Sequence, residues 1–285
     1  MNIKKVGRVM HLLATVAVIV VLFFVLATGY VAIGQSKYVY FPDNDVVATP
    51  TSVGLAFEDL SLKTEDGESI KAWYVPCEAA KNDAMTILFC HGNAGDMGDR
   101  VGTLQTFHKL GFNTLAFDYR GFGESSGEPT EDGTYLDAMA CWDYLVDKRK
   151  DRPENIIVFG RSLGGAVACW LAVHADPAAL VLESTFASIP AMAHEMFPFL
   201  PVSLFCRFKY DNVSNVADVH CPVMVAHGQK DRTCPYEHGR KIYEAANEPK
   251  QFVEIKGDHN DGGLNSNQHY QDDFMKFVAG VASGK

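Results

Sequence analysis

Gly160-Arg161-Ser162-Leu163-Gly164-Gly165 is the stretch that decides the fold. Before it runs Asn155-Ile156-Ile157-Val158-Phe159, β-branched and aromatic, the composition of a buried strand. After it runs Ala166-Val167-Ala168-Cys169-Trp170-Leu171-Ala172, the composition of a buried helix. A serine at a sharp strand-to-helix turn, with glycine two positions to either side, is the nucleophile-elbow arrangement. The flanking glycines remove the Cβ atoms that would collide where strand and helix meet, and the serine hydroxyl is pushed out at the top of a sheet. Gly-x-Ser-x-Gly alone is a common pattern. Its placement between a strand and a helix is what makes Ser162 a candidate nucleophile rather than part of a close-packed helix start.

Outward from the elbow, strands alternate with helices from Met85 to the end. Met85–Cys90 is a continuous apolar run, as expected of a strand covered on both faces. Thr103–Leu110 reads as a helix closed by Gly111, Asn113–Tyr119 as a strand, and Thr130–Lys148 as a helix capped by Thr130. Ala179–Leu182, Pro222–Ala226 and Gln251–Ile255 read as further strands, with helices over Tyr236–Ala246 and His269–Ala282. Upstream, Leu55–Thr64 and Ser69–Val75 flank Glu65-Asp66-Gly67, a hairpin signal. This alternation predicts an α/β fold, a mostly parallel sheet with helices on both faces. Phe186–His220 breaks the rhythm. It is long and rich in Phe, Met, Leu and Pro, and two readings stand: a short helical cap over the strand ends (186–220), or an ordinary helix with a long loop.

A serine hydroxyl needs a positioned base, and histidine suits that role because it titrates near neutral pH. A carboxylate then fixes the imidazole tautomer. In this type of sheet the order along the chain is Ser, acid, His, each just past a strand end. Asp231 follows the strand 222–226 through His227-Gly228-Gln229-Lys230, and His259 follows the strand 251–255 through Lys256-Gly257-Asp258. Asp258 and Asp261 are weaker candidates for the acid, because sequence neighbours seldom reach the imidazole. Acyl transfer also needs donors aimed at the developing oxyanion. The expected pair is the backbone N–H of Leu163 and that of Asn93, in His91-Gly92-Asn93-Ala94-Gly95 after the 85–90 strand, with Ala94 as the fallback. His91 and His227, both in His-Gly corners, read as residues that brace their loops.

Residues 12–33 carry no charge and are almost wholly apolar. As a helix these residues reach about 33 Å at ~1.5 Å each, enough for a hydrocarbon layer of ~30 Å. The stretch exceeds the core of a signal peptide and reads as an uncleaved transmembrane helix, the competing reading being a signal peptide cleaved at Ala32-Ile33-Gly34. Lys4, Lys5 and Arg8 precede it and Lys37 follows, which places the N-terminus in the cytoplasm and the rest of the chain across the membrane, in a periplasm, exterior or lumen. The expected division is 1–34, stub and anchor, and 35–285, one catalytic domain. Residues 1–37 carry +4 while the chain carries −10, leaving −14 for the remainder. So acidic a domain argues against nucleic acid as a partner. Seven cysteines show no metal-ligand spacing, and a disulfide among Cys206, Cys221 and Cys234 stays open. No cofactor or metal is implied.

Together His91–Gly95, Asp118-Tyr119-Arg120-Gly121, Gly160–Gly165, His227–Asp231 and Gly257-Asp258-His259 resemble the motifs of the α/β-hydrolase superfamily, from about Leu55 to Val281. The resemblance implies the α/β-hydrolase fold and serine hydrolase chemistry, with Ser162, Asp231 and His259 as the triad. The anchor followed by Tyr38-Val39-Tyr40-Phe41-Pro42 is similar to the small membrane-anchored group of α/β-hydrolase domain-containing proteins 13 and 17. Some members of that group remove palmitate from protein cysteines. The cysteine-rich N-terminus that marks them is missing here. The expected substrate is a carboxylic ester or thioester, small or with an acyl, lipid-like group. An aminopeptidase or amidase with the same triad is the alternative enzyme, and a non-catalytic membrane-anchored scaffold the alternative of another class.

Overall fold

The structure, a computed structural model, describes residues 3–77, 84–261 and 263–284. Met1 and Asn2, which open the expected 1–34 segment, lie outside the described residues. The chain begins with helix α1 (Ile3–Ile33), a short turn of helix α2 (Ser36–Val39) and the two-residue strand β1 (Phe41–Pro42). Strands β2 (Glu58–Lys63) and β3 (Ser69–Val75) form the expected hairpin, followed by β4 (Thr86–Cys90), β5 (Ala94–Gly95), α3 (Val101–Lys109) and β6 (Asn113–Phe117). Then come α4 (Glu131–Asp143), β7 (Ile156–Arg161), α5 (Leu163–Ala175) and β8 (Ala179–Glu183). Helices α6 (Ile189–Met196) and α7 (Asn212–Ala217), β9 (Val223–Gly228), α8 (Tyr236–Ala245), β10 (Lys250–Ile255) and α9 (Gln268–Ser283) complete the chain.

Eight strands form one sheet in the order β10-β9-β8-β7-β4-β6-β3-β2. The six from β10 to β6 run parallel, while β3 and β2 are antiparallel to their neighbours. Every residue of β4, β8 and β9 is buried, which is why their sequences run apolar without alternation. One core layer gathers α4, α5 and α8 through Ala138, Leu171 and Ile242, and the other gathers α3 and α9 through Phe107 and Phe274. Helix α5 is apolar nearly all round because it is buried nearly all round. Thr130 caps α4 as expected, its Oγ1 accepting from the Gly133 N–H at 3.0 Å.

The strand order reverses at β4, which has β6 on one side and β7 on the other. The carboxyl ends of β4 and β7 flank this switch point, the place where open α/β sheets bind ligands. Residues 186–220 form α6, a short 3-10 turn (Val202–Phe205) and α7. The seven cysteines are all buried and unpaired, so no disulfide joins Cys206, Cys221 or Cys234.

Candidate active site

The turn between β7 and α5 puts Ser162 at φ 53°, ψ −121°, a conformation that non-glycine residues rarely adopt. Three bonds hold it there. The Ser162 N–H donates to the Glu183 carbonyl at 2.9 Å, and its carbonyl accepts from the Gly165 N–H at 2.9 Å and the Thr185 hydroxyl at 2.6 Å. The glycines are required by close approach: a Cβ on Gly164 would lie 2.1 Å from the Cys90 carbonyl oxygen, and one on Gly160 would lie 2.3 Å from that of Gly164. Sheet and helix thus meet backbone to backbone beneath the serine.

His259 and Asp231 come together from the ends of β10 and β9. His259 Nδ1 is 2.7 Å from Asp231 Oδ2, and both residues are buried. The other carboxylate oxygen accepts from the Thr233 and Cys234 N–H groups at 2.9 and 2.7 Å, so the acid is fixed in rotation. An acceptor at Nδ1 leaves the proton on that nitrogen and Nε2 free to act as a base. Asp258 does something else. Its Oδ1 accepts from the Arg232 and His259 N–H groups and ties the two loops to each other. Its carboxyl is held below the ordinary aspartate range, chiefly by the bond from Arg232. Among the other histidines, His269 stands on the surface of α9 beside Asp273.

Leu163 is the first residue of α5, so its N–H belongs to the turn of amides that a helix leaves without intrahelical partners. The loop after β4 lies against the serine: a Cβ on Gly92 would be 3.5 Å from Ser162 Cβ. Here His91 has a definable task. Its Nδ1–H donates to the Gly92 carbonyl at 2.7 Å. The Gly92–Asn93 peptide is trans and planar, so fixing that carbonyl fixes the Asn93 N–H on its opposite side. The rest of Asn93 is anchored too: its carbonyl accepts from the Phe41 N–H at 2.8 Å, and its Nδ2 donates to the Val39 carbonyl at 2.9 Å. Ala94 is instead engaged in the parallel β1–β5 pair.

Asp118 and Arg120, from the Asp118–Gly121 motif, build the adjoining loop. Asp118 Oδ1 accepts from the Met97 N–H at 2.8 Å and faces His91 Nε2 at 3.3 Å. Arg120 binds Asp137 and Asp66, and Tyr119 donates to the His91 carbonyl at 2.9 Å. Asp66 is lowered to about 2, chiefly by its bond from Arg120, whereas burial pushes Asp137 up to about 6 despite the same partner.

Sequence reasoning missed Cys234 and Arg161. Cys234 is buried close to the Ser162 side chain, and burial raises its pKa, so it is a neutral thiol. Arg161 Nη2 donates to the His259 carbonyl at 2.8 Å, while its Nε faces Glu183 at 3.3 Å. The variable residue inside Gly-x-Ser-x-Gly therefore supports the histidine loop; being a cation at a strand end was its only signal. Among the described residues, no group of three or more His, Cys, Asp or Glu side chains is placed to hold a metal ion.

Comparison with known proteins agrees with this fold. The alpha/beta hydrolase fold family matches residues 86–205. An uncharacterized protein of Mycobacterium tuberculosis is 36% identical over 249 residues, 87% of this chain and 88% of that one. The alpha/beta hydrolase domain-containing protein WAV2 of Arabidopsis thaliana is 32% identical, covering 88% and 89%. Among solved structures, an esterase of Pyrococcus furiosus superposes with a TM-score of 0.68 at 20% identity, over 86% of this chain and 97% of that one.

Proposed function

The chain belongs to the alpha/beta hydrolase fold family, and from that premise we propose that it is a membrane-anchored serine hydrolase of carboxylic esters or thioesters. Ser162 Oγ attacks the acyl carbon while His259 Nε2 takes its proton. Asp231 holds the imidazole and stabilises the imidazolium that forms. The N–H groups of Leu163 and Asn93 receive the oxyanion. His259 returns the proton to the leaving alcohol or thiol, giving an acyl-enzyme. Water, activated by His259, then releases the acid and restores the serine.

The observations that carry this reading are the 2.7 Å Asp231–His259 contact and a serine held at a positive-φ elbow. The esterase from Pyrococcus furiosus, similar in fold, supports ester chemistry. Helix α1 is exposed over most of its length and apolar enough from Val6 to Ile33 to cross a bilayer, which supports an anchor at 1–34 followed by the domain 35–285. Lys4, Lys5 and Arg8 favour a cytoplasmic N-terminus and a domain on the far side. The anchor and the following Tyr38–Pro42 segment support kinship with α/β-hydrolase domain-containing proteins 13 and 17.

The test is labelling of the full chain by a fluorophosphonate probe. Wild type should label and Ser162→Ala should not. A folded wild-type protein that stays unlabelled would overturn the assignment in favour of a scaffold role. For orientation, protease added to sealed cells or vesicles should cut the domain only from the non-cytoplasmic side.

A further inference from the structure

The end of α1 does not leave the domain freely. Gln35, just past α1, donates to the Phe205 carbonyl at 2.9 Å and accepts from the Arg207 N–H at 2.7 Å. Tyr38 packs edge-on against Phe197 at 5.8 Å. The α6–turn segment is therefore fastened to the last turns of α1, and it carries apolar side chains into the open. Phe199 is 85% exposed, Leu204 79%, Phe205 56% and Met196 55%. Four large apolar side chains within ten residues form a patch that a soluble face seldom carries. They stand beside the part of α1 that is itself long and apolar enough to cross a bilayer.

Two openings lie between these elements. One is a groove of about 370 Å³ lined by Phe24, Val25, Thr28, Pro201 and Phe205. The other, deeper, is a tight chamber of about 60 Å³ lined by Val31, Tyr38, Val39, Met192, Met196 and Phe197. The deeper wall lies against the loop that follows β4: the Val39 carbonyl accepts from the Asn93 side chain at 2.9 Å. Methionines at such a place are adaptable, able to widen the chamber as they change rotamer. At the rim stand Lys37, Arg207 and Lys209, all exposed, on a domain that is otherwise acidic. Cations and a tyrosine at the end of an apolar span are the residues of a headgroup layer.

We propose that the tip of the 186–220 segment, around Phe199 and Leu204, is sunk in the leaflet that α1 leaves, and that the groove between α1 and this tip takes the hydrocarbon chain of an acyl substrate still resident in the bilayer. This rests on the serine-hydrolase reading for its chemistry and on the exposed apolar face for its place. The bilayer is the occupant because the patch is continuous with α1; no separate partner is needed to cover it. The chain runs from the leaflet along the groove toward Val39, and its carbonyl end meets Ser162.

The full chain in phosphatidylcholine nanodiscs tests it with two readouts. Phe199→Trp places an indole at the tip, and lipids brominated along the acyl chain should quench its emission. The native Trp73, Trp142 and Trp170 give the baseline, read from wild type. Leu204→Trp is the second position should the first variant fold poorly. Quenching no greater than that of wild type in both variants overturns the membrane seat. The second readout is the ratio of hydrolysis of a palmitoyl ester held in the nanodisc to that of soluble 4-nitrophenyl butyrate. Phe199→Ser with Leu204→Ser should lower that ratio roughly tenfold or more, given what exposing two such side chains costs. An unchanged ratio overturns the acyl-chain route. If the indole is quenched but wild type neither labels with fluorophosphonate nor hydrolyses either ester, the serine-hydrolase reading has failed while the membrane seat stands.

Discussion

Two corners of the sheet begin alike and end differently. His91-Gly92 closes β4 and His227-Gly228 closes β9. Each imidazole is buried, each binds a carbonyl of its own loop at 2.7 Å, and each faces an aspartate, Asp118 at 3.3 Å and Asp231 at 3.6 Å. The difference is where the aspartate turns. Asp118 is spent inside its own corner, on Met97 and His91. Asp231 turns its free oxygen outward to a third residue, His259. His227 is kept neutral, burial lowering its pKa. In the proposed mechanism one corner aims a backbone donor and the other aims a base. A His-Gly dipeptide at a strand end marks a braced loop, and the reach of the neighbouring carboxylate sets what the loop does.

Removing the reacting groups gives the widest separation between the corners. Ser162→Ala or His259→Ala should lower kcat/KM on 4-nitrophenyl butyrate by about 10⁴–10⁶. A loss under tenfold in purified protein would sink the assignment. The same substitution made in each corner sharpens the contrast. Asp231→Asn should cost on the order of 10⁴ in kcat, because the amide favours the wrong tautomer of His259. Asp118→Asn keeps an oxygen for the Met97 N–H and should cost less than about tenfold. Equal losses would mean that the corners share one role. His91→Ala frees the Gly92–Asn93 peptide and should lower kcat by roughly ten- to a hundredfold with KM little changed; a rise in KM alone would make the loop a binding element.

The smallest effect concerns the brace behind the first corner. Arg120, two residues after Asp118, holds Asp66 at a pKa of about 2. That value lies below the unfolded one of about 4, so the pair contributes stability above the unfolded value and loses it as pH falls from there toward 2. Asp66 is exposed, so the contribution should stay below about 1 kcal/mol. The stability gap between wild type and Asp66→Asn, read from urea melts, should be open at pH 7 and close between pH 4 and 2. A gap that persists unchanged at pH 2 would assign it to packing.

The places of Ser162, Asp231, His259 and Asn93 just past strand ends were legible because strand ends are written in composition. The hairpin, the parallel strands and most helices follow from the same signals. What stayed hidden depends on tertiary neighbours. Cys234 meets Ser162 across 72 positions of chain, and nothing in Thr233-Cys234-Pro235 announces it. Thr130–Lys148 reads as one helix, but regular α-helix stops at Asp143 and continues as a wider π-type turn over Tyr144–Arg149, built from residues equally at home in either. Helix α1 starts nine residues before Leu12, at Ile3, because lysine and arginine are good helix formers. Of Tyr38, Tyr40 and Phe41, only Tyr40 is buried, its hydroxyl 2.8 Å from that of Tyr210, and nothing in the residue types marks it out.

The stretch from Gln35 to Pro42 also sets an order of assembly. Its partners are of two ages. Asn93 and Gly95 are synthesised soon after it, whereas Phe205 and Tyr210 lie 170 residues downstream of Gln35 and Tyr40. Contacts so distant along the chain close late, since the loop entropy must be met before they form. The first residues to emerge beyond the anchor are therefore among the last to be fastened. A nascent chain halted near position 180 should be cut by chymotrypsin around Tyr38 and Tyr40, and one halted beyond 240 should resist; cleavage of both alike would show that the segment is secured by its early partners alone.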